Sequence, residues 1–68
     1  MEKEALMTPQ ELTAWRLSMA LSVKEAALAL DLSPSTFQRY EAGSMTIPLA
    51  ISYATKYLVI ARIVTPLT

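Results

Sequence analysis

The stretch that decides the fold is SVKEAALALDLSPSTFQRYEAGS, residues 22–44. Its first part predicts the start of a helix, because Ser22 is followed three positions later by Glu25, the spacing of a capping box. The alanines that come next have small side chains, which would let another backbone approach closely. Asp31 and Leu32 then interrupt the pattern, so we expect a short helix that ends before them.

A second helix start follows at once in the same stretch. Ser33 is a typical N-cap and Pro34 a typical first helical residue. Gly43 can adopt the left-handed conformation that ends a helix. Only about three residues separate this helix from the preceding one. A connection this short makes two helices cross at a large angle and pack as one unit.

The two sides of this second predicted helix differ in composition. At about 100° per residue, Phe37, Tyr40 and Glu41 fall on one side, which we expect to face the core. The other side holds small or hydrogen-bonding groups around one guanidinium: Ser35, Arg39 and Ala42, flanked by Thr36 and Gln38. Such a face suits the DNA major groove, where arginine donates to guanine and glutamine pairs with adenine. A solvated helix face has the same residue types, so both interpretations remain open at this point.

Another helix is predicted ahead of this pair. Thr8 is placed as its N-cap and Pro9 as its first helical residue, and Glu11 completes a second capping box. Its apolar positions recur at helical spacing and are expected to face the core: Leu12, Trp15 and Met19.

A fourth helix is predicted from about Pro48 to Ile63, with a proline at position 66 just beyond it. We expect its inward face to carry Leu49, Tyr53, Tyr57 and Ile60. This choice leaves a set of apolar residues near the C-terminus without an obvious partner in the chain: Val59, Ile63, Val64 and Leu67.

The whole chain is predicted to be all-α, because no region alternates apolar and polar residues over a useful length. We expect a tail over residues 1–7 and a single domain of four to five helices over residues 8–68. Hydrophobic residues make up 53% of the chain. This leaves surplus apolar surface, and self-association is the simplest way to cover it.

Residue types exclude several classes of function. The chain has no cysteine and no histidine, which removes disulfides, thiolate nucleophiles and the usual ligands and acid–base groups of metal sites and enzymes. The remaining carboxylates form no paired arrangement. We therefore expect no enzyme, no cofactor, no metal site and no small-molecule ligand.

Residues 48–67 are apolar enough to raise the question of a membrane span. Lys56 and Arg62 lie within them, and each would cost about 2.5 to 3.5 kcal/mol near the centre of a bilayer. The first seven residues lack the basic region and apolar run of a secretory signal. We therefore expect a soluble amphipathic helix in a cytoplasmic protein, with no membrane partner.

The order of these elements resembles the Cro/repressor class of helix-turn-helix domains, also called Xre-like. The resemblance extends from Thr8 to about Leu58 and implies a compact, lambda-repressor-like bundle that contains a helix-turn-helix. It is carried by four short motifs: LSVKEAA at 21–27, LDLS at 30–33, YEAG at 40–43 and IP at 47–48.

The resemblance also implies roles for individual positions. Ala27 is the small residue where the second and third helices touch, and Leu32 belongs to the core beside Phe37 and Tyr40. Arg16 and Glu41 are expected to form a structural ion pair. Bases would be read by Ser35, Thr36, Gln38 and Arg39. Phosphates would be bound by Ser22, Lys24, Ser33, Ser44 and Thr46.

Three departures from the family pattern bear on affinity. Asp31 stands at the turn position where the family prefers glycine, and it adds a negative charge. Pro34 stands at the first recognition position and has no side-chain donor. The loop Ser44 to Thr46 lacks basic residues, and the formal net charge of the chain is zero. Because affinity for phosphates rests largely on Lys and Arg, we expect weak, salt-sensitive binding unless two copies act together.

The predicted function is a DNA-binding transcription regulator, a dimeric repressor that acts on its own promoter at an inverted-repeat operator. Its homodimer interface would be formed by Val59, Ile63, Val64 and Leu67, although burial of these residues against the first helix is the alternative. The small proteins that the chain resembles are of two kinds. One is phage regulators, among them those that accompany anti-CRISPR genes, and the other is antitoxins. A protein-interaction module on the same fold, such as an antitoxin or anti-repressor, is the rival function.

Overall fold

The computed structural model describes residues 6–64, without the side chains of residues 62–64. This part of the chain contains four α-helices and no strand, which confirms the predicted all-α class. The helices are α1 (Pro9–Ser18), α2 (Val23–Ala29), α3 (Pro34–Ala42) and α4 (Leu49–Val64). Within residues 6–64, no helix is long and apolar enough to cross a membrane.

Reciprocal capping boxes start both α1 and α2, as the sequence predicts. The backbone N–H of Thr8 donates to Oε1 of Glu11 at 2.9 Å, and the N–H of Glu11 donates to Oγ1 of Thr8 at 3.1 Å. Ser22 and Glu25 repeat the same exchange at 2.9 and 3.0 Å. Each box satisfies backbone donors that a helix start leaves without an intrahelical partner, so both helix starts are fixed by local sequence.

Both ends of α3 also lie where the sequence predicts them. Its N-cap is Ser33, whose hydroxyl oxygen accepts a hydrogen bond from the N–H of Thr36 at 3.2 Å. Its C-cap is Gly43, with φ +81°. The N–H of Ser44 donates back to the carbonyl of Arg39 at 2.9 Å. The left-handed conformation at Gly43 makes this return bond possible and ends the helix.

The core is centred on α3, against which both α1 and α2 pack. Phe37 of α3 and Leu12 of α1 are fully buried, with no exposed surface. Met19 and Leu32 are partly buried and pack against the same cluster. The buried apolar residues are Leu12, Trp15, Ala26, Ala27, Leu30, Phe37, Tyr40 and Ile47. The predicted inward faces of α1 and α3 are therefore confirmed.

The indole nitrogen of Trp15 is a buried donor with no hydrogen-bond partner among the described residues. Only 7% of the Trp15 surface is exposed. An unmade hydrogen bond of a buried donor costs about 1 to 3 kcal/mol. The packing of the large indole ring against the core must therefore outweigh this cost.

Two connections contain a non-glycine residue in the left-handed region. Asp31, in the α2–α3 turn, has φ +60°, and Ala20, between α1 and α2, has φ +59°. The turn itself is closed by the N–H of Leu32, which donates to the carbonyl of Ala27 at 2.8 Å. Aspartate enters the left-handed region more readily than alanine, so the strain is greater at Ala20.

The bounds predicted for α4 are correct to within one residue, but its predicted inward face is wrong. Tyr53, Tyr57 and Ile60 are 53%, 66% and 57% exposed, and only Leu49 of the predicted set is half-buried. The inward face consists instead of residues that are all smaller than tyrosine: Ile51, Ser52, Ala54, Thr55 and Leu58.

The inward face of α4 is explained by the residues at and before its start. Ile47 is buried just ahead of the helix, which fixes the direction in which the chain enters. Ser52 and Thr55 are also buried, and the Thr55 hydroxyl donates to the Ser52 carbonyl at 2.8 Å. Because this internal bond satisfies the hydroxyl, small polar residues can face inward and let the helix approach closely.

Candidate nucleic-acid interface

The outer face of α3 gathers the residues that the sequence proposes for base reading. Ser35, Gln38 and Arg39 are exposed, and Thr36 is half-buried. Phe37 and Tyr40 lie on the opposite side of the helix, within the core. The α3 face therefore presents hydrogen-bonding groups on a helix whose other side is held rigidly by packing.

Arg39 supplies the cation of this face. Its guanidinium makes no ion pair or hydrogen bond with any residue in the described part of the chain. A guanidinium carries five N–H donors in a planar fork, which matches the O6 and N7 acceptors of guanine. The site thus holds one fully available bidentate donor.

A second arginine is engaged inside the protein. Nε of Arg16 lies 2.9 Å from Oε2 of Glu41, so the structure brings together the two residues that the resemblance pairs. The same carboxylate oxygen accepts the hydroxyl of Thr13 at 2.9 Å. Nη1 of Arg16 donates to the carbonyl of Leu21 at 3.2 Å. Sequence reasoning missed the contributions of Thr13 and Leu21, because neither residue type is distinctive for such a role.

The candidate phosphate ligands all lie at the surface: Ser22, Lys24, Ser33, Ser44 and Thr46. Two of these hydroxyls are already engaged. The Ser22 hydroxyl accepts the N–H of Glu25, and the Ser33 hydroxyl donates to Oγ1 of Thr36 at 3.0 Å. The Glu25 carboxylate, bonded to the Ser22 N–H, places a negative charge at the start of α2. Lys24 is therefore the main attractive group for a phosphate at this end of α2.

A shallow apolar depression of about 180 Å³ adjoins the start of α3. Its lining consists of Lys24, Leu28, Leu32 and Pro34. Leu28 is 80% exposed, more than any other large apolar side chain in the described part of the chain. The sequence pattern does not mark Leu28, because a single leucine in a short helix is ordinarily assigned to the core.

The predicted dimer residues are only partly within the described chain. Val59 lies on α4 and is 36% exposed. The side chains of Ile63 and Val64, and the whole of Leu67, lie outside the described residues. Tyr57 and Ile60 are two further exposed apolar residues of α4.

Among the described residues, no group of three or more acidic side chains is placed to hold a metal ion. The geometry at α3 suits recognition by hydrogen bonds, apolar contact and charge.

The fold is shared with a solved structure. No protein-family model matches the chain, and no curated protein matches it either. A crystal structure of a Nitrosomonas europaea protein, named "Putative DNA Binding Protein", superposes with a TM-score of 0.79 at 24% identity. The match covers 93% of this chain but 41% of the other, so the chain spans about two fifths of the length of that protein. At this identity, the likeness shows a common fold.

Proposed function

We propose that this chain binds double-stranded DNA in a sequence-specific manner and acts as a small dimeric transcription regulator of the Cro/repressor (Xre-like) kind. The observation that carries the proposal is the outer face of α3, where exposed hydroxyl and amide groups surround the available guanidinium of Arg39. The name of the structurally similar Nitrosomonas europaea protein supports it, since that protein is described as DNA-binding.

Base reading would follow from the chemistry of the α3 face. Arg39 would donate both arms of its guanidinium to the O6 and N7 of one guanine. Gln38 would pair with an adenine, and the hydroxyls of Ser35 and Thr36 would bond to a neighbouring base or phosphate. Because α3 is packed on α1 and α2, its backbone would enter the groove already ordered, and the loss of conformational freedom on binding would fall on the side chains.

The charges around α3 make binding by one copy weak. Lys24 and Arg39 are the two exposed cations of α2 and α3, whereas Glu25 and Asp31 place exposed negative charges on α2 and on the turn that follows it. Two copies bound to adjacent major grooves, about 34 Å apart, would double the attractive contacts. This requirement favours a dimer and an inverted-repeat operator.

The second copy would bind against the C-terminal half of α4. Val59 belongs to the interface that the sequence proposes, and Tyr57 and Ile60 extend it with exposed apolar surface. The dimer would repress by occupying its own promoter, in the manner of a phage regulator, at a level set by its concentration.

The test is selection from a randomised duplex library with the purified chain at one modest salt concentration. We expect enrichment of an inverted repeat whose half-sites lie about one helical turn apart. Enrichment of a single half-site would support DNA binding and contradict the dimer. No enrichment above background, repeated at low salt, would contradict DNA binding itself.

A protein-interaction module is the second candidate function. It is favoured by the 80% exposure of Leu28, a large apolar side chain that a protein partner could cover. The same selection separates the two functions, because an interaction module would enrich no duplex sequence.

A further inference from the structure

The apolar depression shares a residue with the proposed reading helix. Pro34 lines the depression, is the first residue of α3 and directly precedes Ser35 of the base-reading face. Its ring is exposed and offers no side-chain donor or acceptor. At Pro34, the hydrogen-bonding surface of the base-reading face therefore gives way to an apolar surface.

The lining of the depression combines apolar surface with one positive charge. Leu28, Leu32 and Pro34 supply the apolar part, and Lys24 supplies the only charged side chain of the lining. An occupant that matches this lining needs an apolar group and a nearby negative charge.

A thymidine nucleotide has both properties. Among the groups that base edges present in the major groove, the 5-methyl group of thymine is the apolar one. The strand that carries this methyl also carries phosphates, which match the ammonium of Lys24 in charge. Adenine and guanine present polar groups, which would lose hydrogen bonds to water against Pro34 without gaining a replacement. Cytosine has only a hydrogen at the position of the methyl group, so it would bury less apolar surface there.

We infer that the depression formed by Leu28, Leu32 and Pro34 reads a thymine in each half-site through its 5-methyl group, with Lys24 on a phosphate of the same strand. The inference rests on the proposed function and names a base that the α3 face selects. The contact is preorganised, because the proline ring fixes the φ of Pro34 and the hydrogen bond from Leu32 to Ala27 closes the turn behind it.

The test replaces thymidine by deoxyuridine, which removes only the methyl group. In the selected duplex, each thymidine is replaced in turn at both symmetric positions, and affinity is measured by fluorescence anisotropy. At one thymidine position, loss of the buried methyl group should weaken binding of the duplex by about four-fold for each half-site that is changed. Replacement at the other thymidines should have little effect.

Two variants and a control assign this sensitivity to the depression. Pro34→Ser and Leu28→Ser should each remove the sensitivity at that position, and Leu28 is exposed enough that the fold should persist. Leu17→Ser is the matched control, because Leu17 is an exposed leucine of α1 that does not line the depression. It should leave the four-fold effect unchanged.

The outcomes separate this inference from the proposed function. If the wild-type chain binds its selected duplex but tolerates deoxyuridine everywhere, the inference is overturned, DNA binding stands and the depression serves another occupant, such as a protein. The inference is also overturned if both variants keep the full sensitivity. If no duplex is bound at all, the proposed function fails and the inference fails with it.

Discussion

Nε of Arg16 lies 2.9 Å from Oε2 of Glu41, and this ion pair joins the last turn of α1 to the last turn of α3. The two side chains are only 18% and 15% exposed, so water screens the pair weakly. The same carboxylate also accepts the hydroxyl of Thr13. One carboxylate thus receives two donors from α1, and this arrangement fixes α3 relative to α1.

Removal of either partner of this pair should destabilise the fold. We expect Arg16→Met or Glu41→Gln to lower the free energy of unfolding by about 2 kcal/mol, because each leaves a half-buried polar group poorly paired. Urea denaturation measures the change. Lys56→Met, which removes an exposed charge from α4, is the control and should have little effect. If the losses from the two single variants simply add in the double variant, the two side chains are not coupled.

Substitution of Arg39 should weaken DNA binding and leave the fold intact. Arg39→Ala removes the bidentate donor and is expected to cost about 1 to 3 kcal/mol of binding free energy on the selected duplex. Arg39→Lys keeps the charge but not the planar fork, so it should recover binding only in part. Anisotropy titrations measure affinity, and circular dichroism checks the fold. Unchanged affinity in Arg39→Ala would show that α3 does not read DNA in this way.

The salt dependence of binding should be set by the few cations that are available to phosphates. Arg16 is neutralised by Glu41, so Lys24 and Arg39 are the available cations of the α1–α3 surface. Because Arg39 is proposed to bind a base, Lys24 is the phosphate contact of each copy, and a dimer would show a slope of log K against log [salt] of about −2. Lys24→Gln should reduce this slope by about 2 in a dimer and weaken all duplex sequences equally. If the slope is steep and Lys24→Gln does not change it, residues other than Lys24 contact the phosphates.

Glycine at position 20 should stabilise the protein. Ala20 is exposed and has φ +59°, a conformation that costs an alanine about 1 to 2 kcal/mol. Ala20→Gly should therefore raise the free energy of unfolding by about 0.5 kcal/mol, after the greater entropy of glycine in the unfolded chain is subtracted. Ala14→Gly, at an exposed position within α1, is the control and should lower it by about 0.5 to 1 kcal/mol. Thermal unfolding would disprove the expectation if both variants were destabilised.

The exposed face of α4 should govern self-association. Ile60→Glu places a charge within the proposed interface and should shift sedimentation equilibrium towards the monomer. Leu17→Glu makes the same change at an exposed position on α1 and should leave the equilibrium unaffected. A wild-type chain that sediments as a monomer at all concentrations would contradict the dimer.

Sequence alone predicts the features of this fold that depend on neighbours in the chain. The caps at Thr8, Ser22 and Ser33 are set by residues three positions away, so their spacing is visible in one dimension. The inward face of α4 depends on how Ile47 directs the chain into the bundle, and no local pattern contains that information. A prediction from sequence pattern therefore favours the large tyrosines over Ser52 and Thr55.

The candidate site likewise has some features that the sequence predicts and others that depend on how the helices pack. The exposure of Ser35, Gln38 and Arg39 follows from the helical period, which the sequence displays. The engagement of the Ser33 hydroxyl with Thr36 depends on rotamers. The depression at Leu28 depends on how α2 meets α3. Neither feature could be inferred before the helices were placed in space.

The chain contains one tryptophan, and Trp15 lies in the core with its indole N–H out of contact with any described acceptor. An indole in an apolar, unbonded environment fluoresces at shorter wavelength than one in water. The emission maximum therefore reports on whether α1 is docked against α3. Unfolding, ligand-induced stabilisation and the effect of each variant can be followed optically, without attaching a dye to the protein.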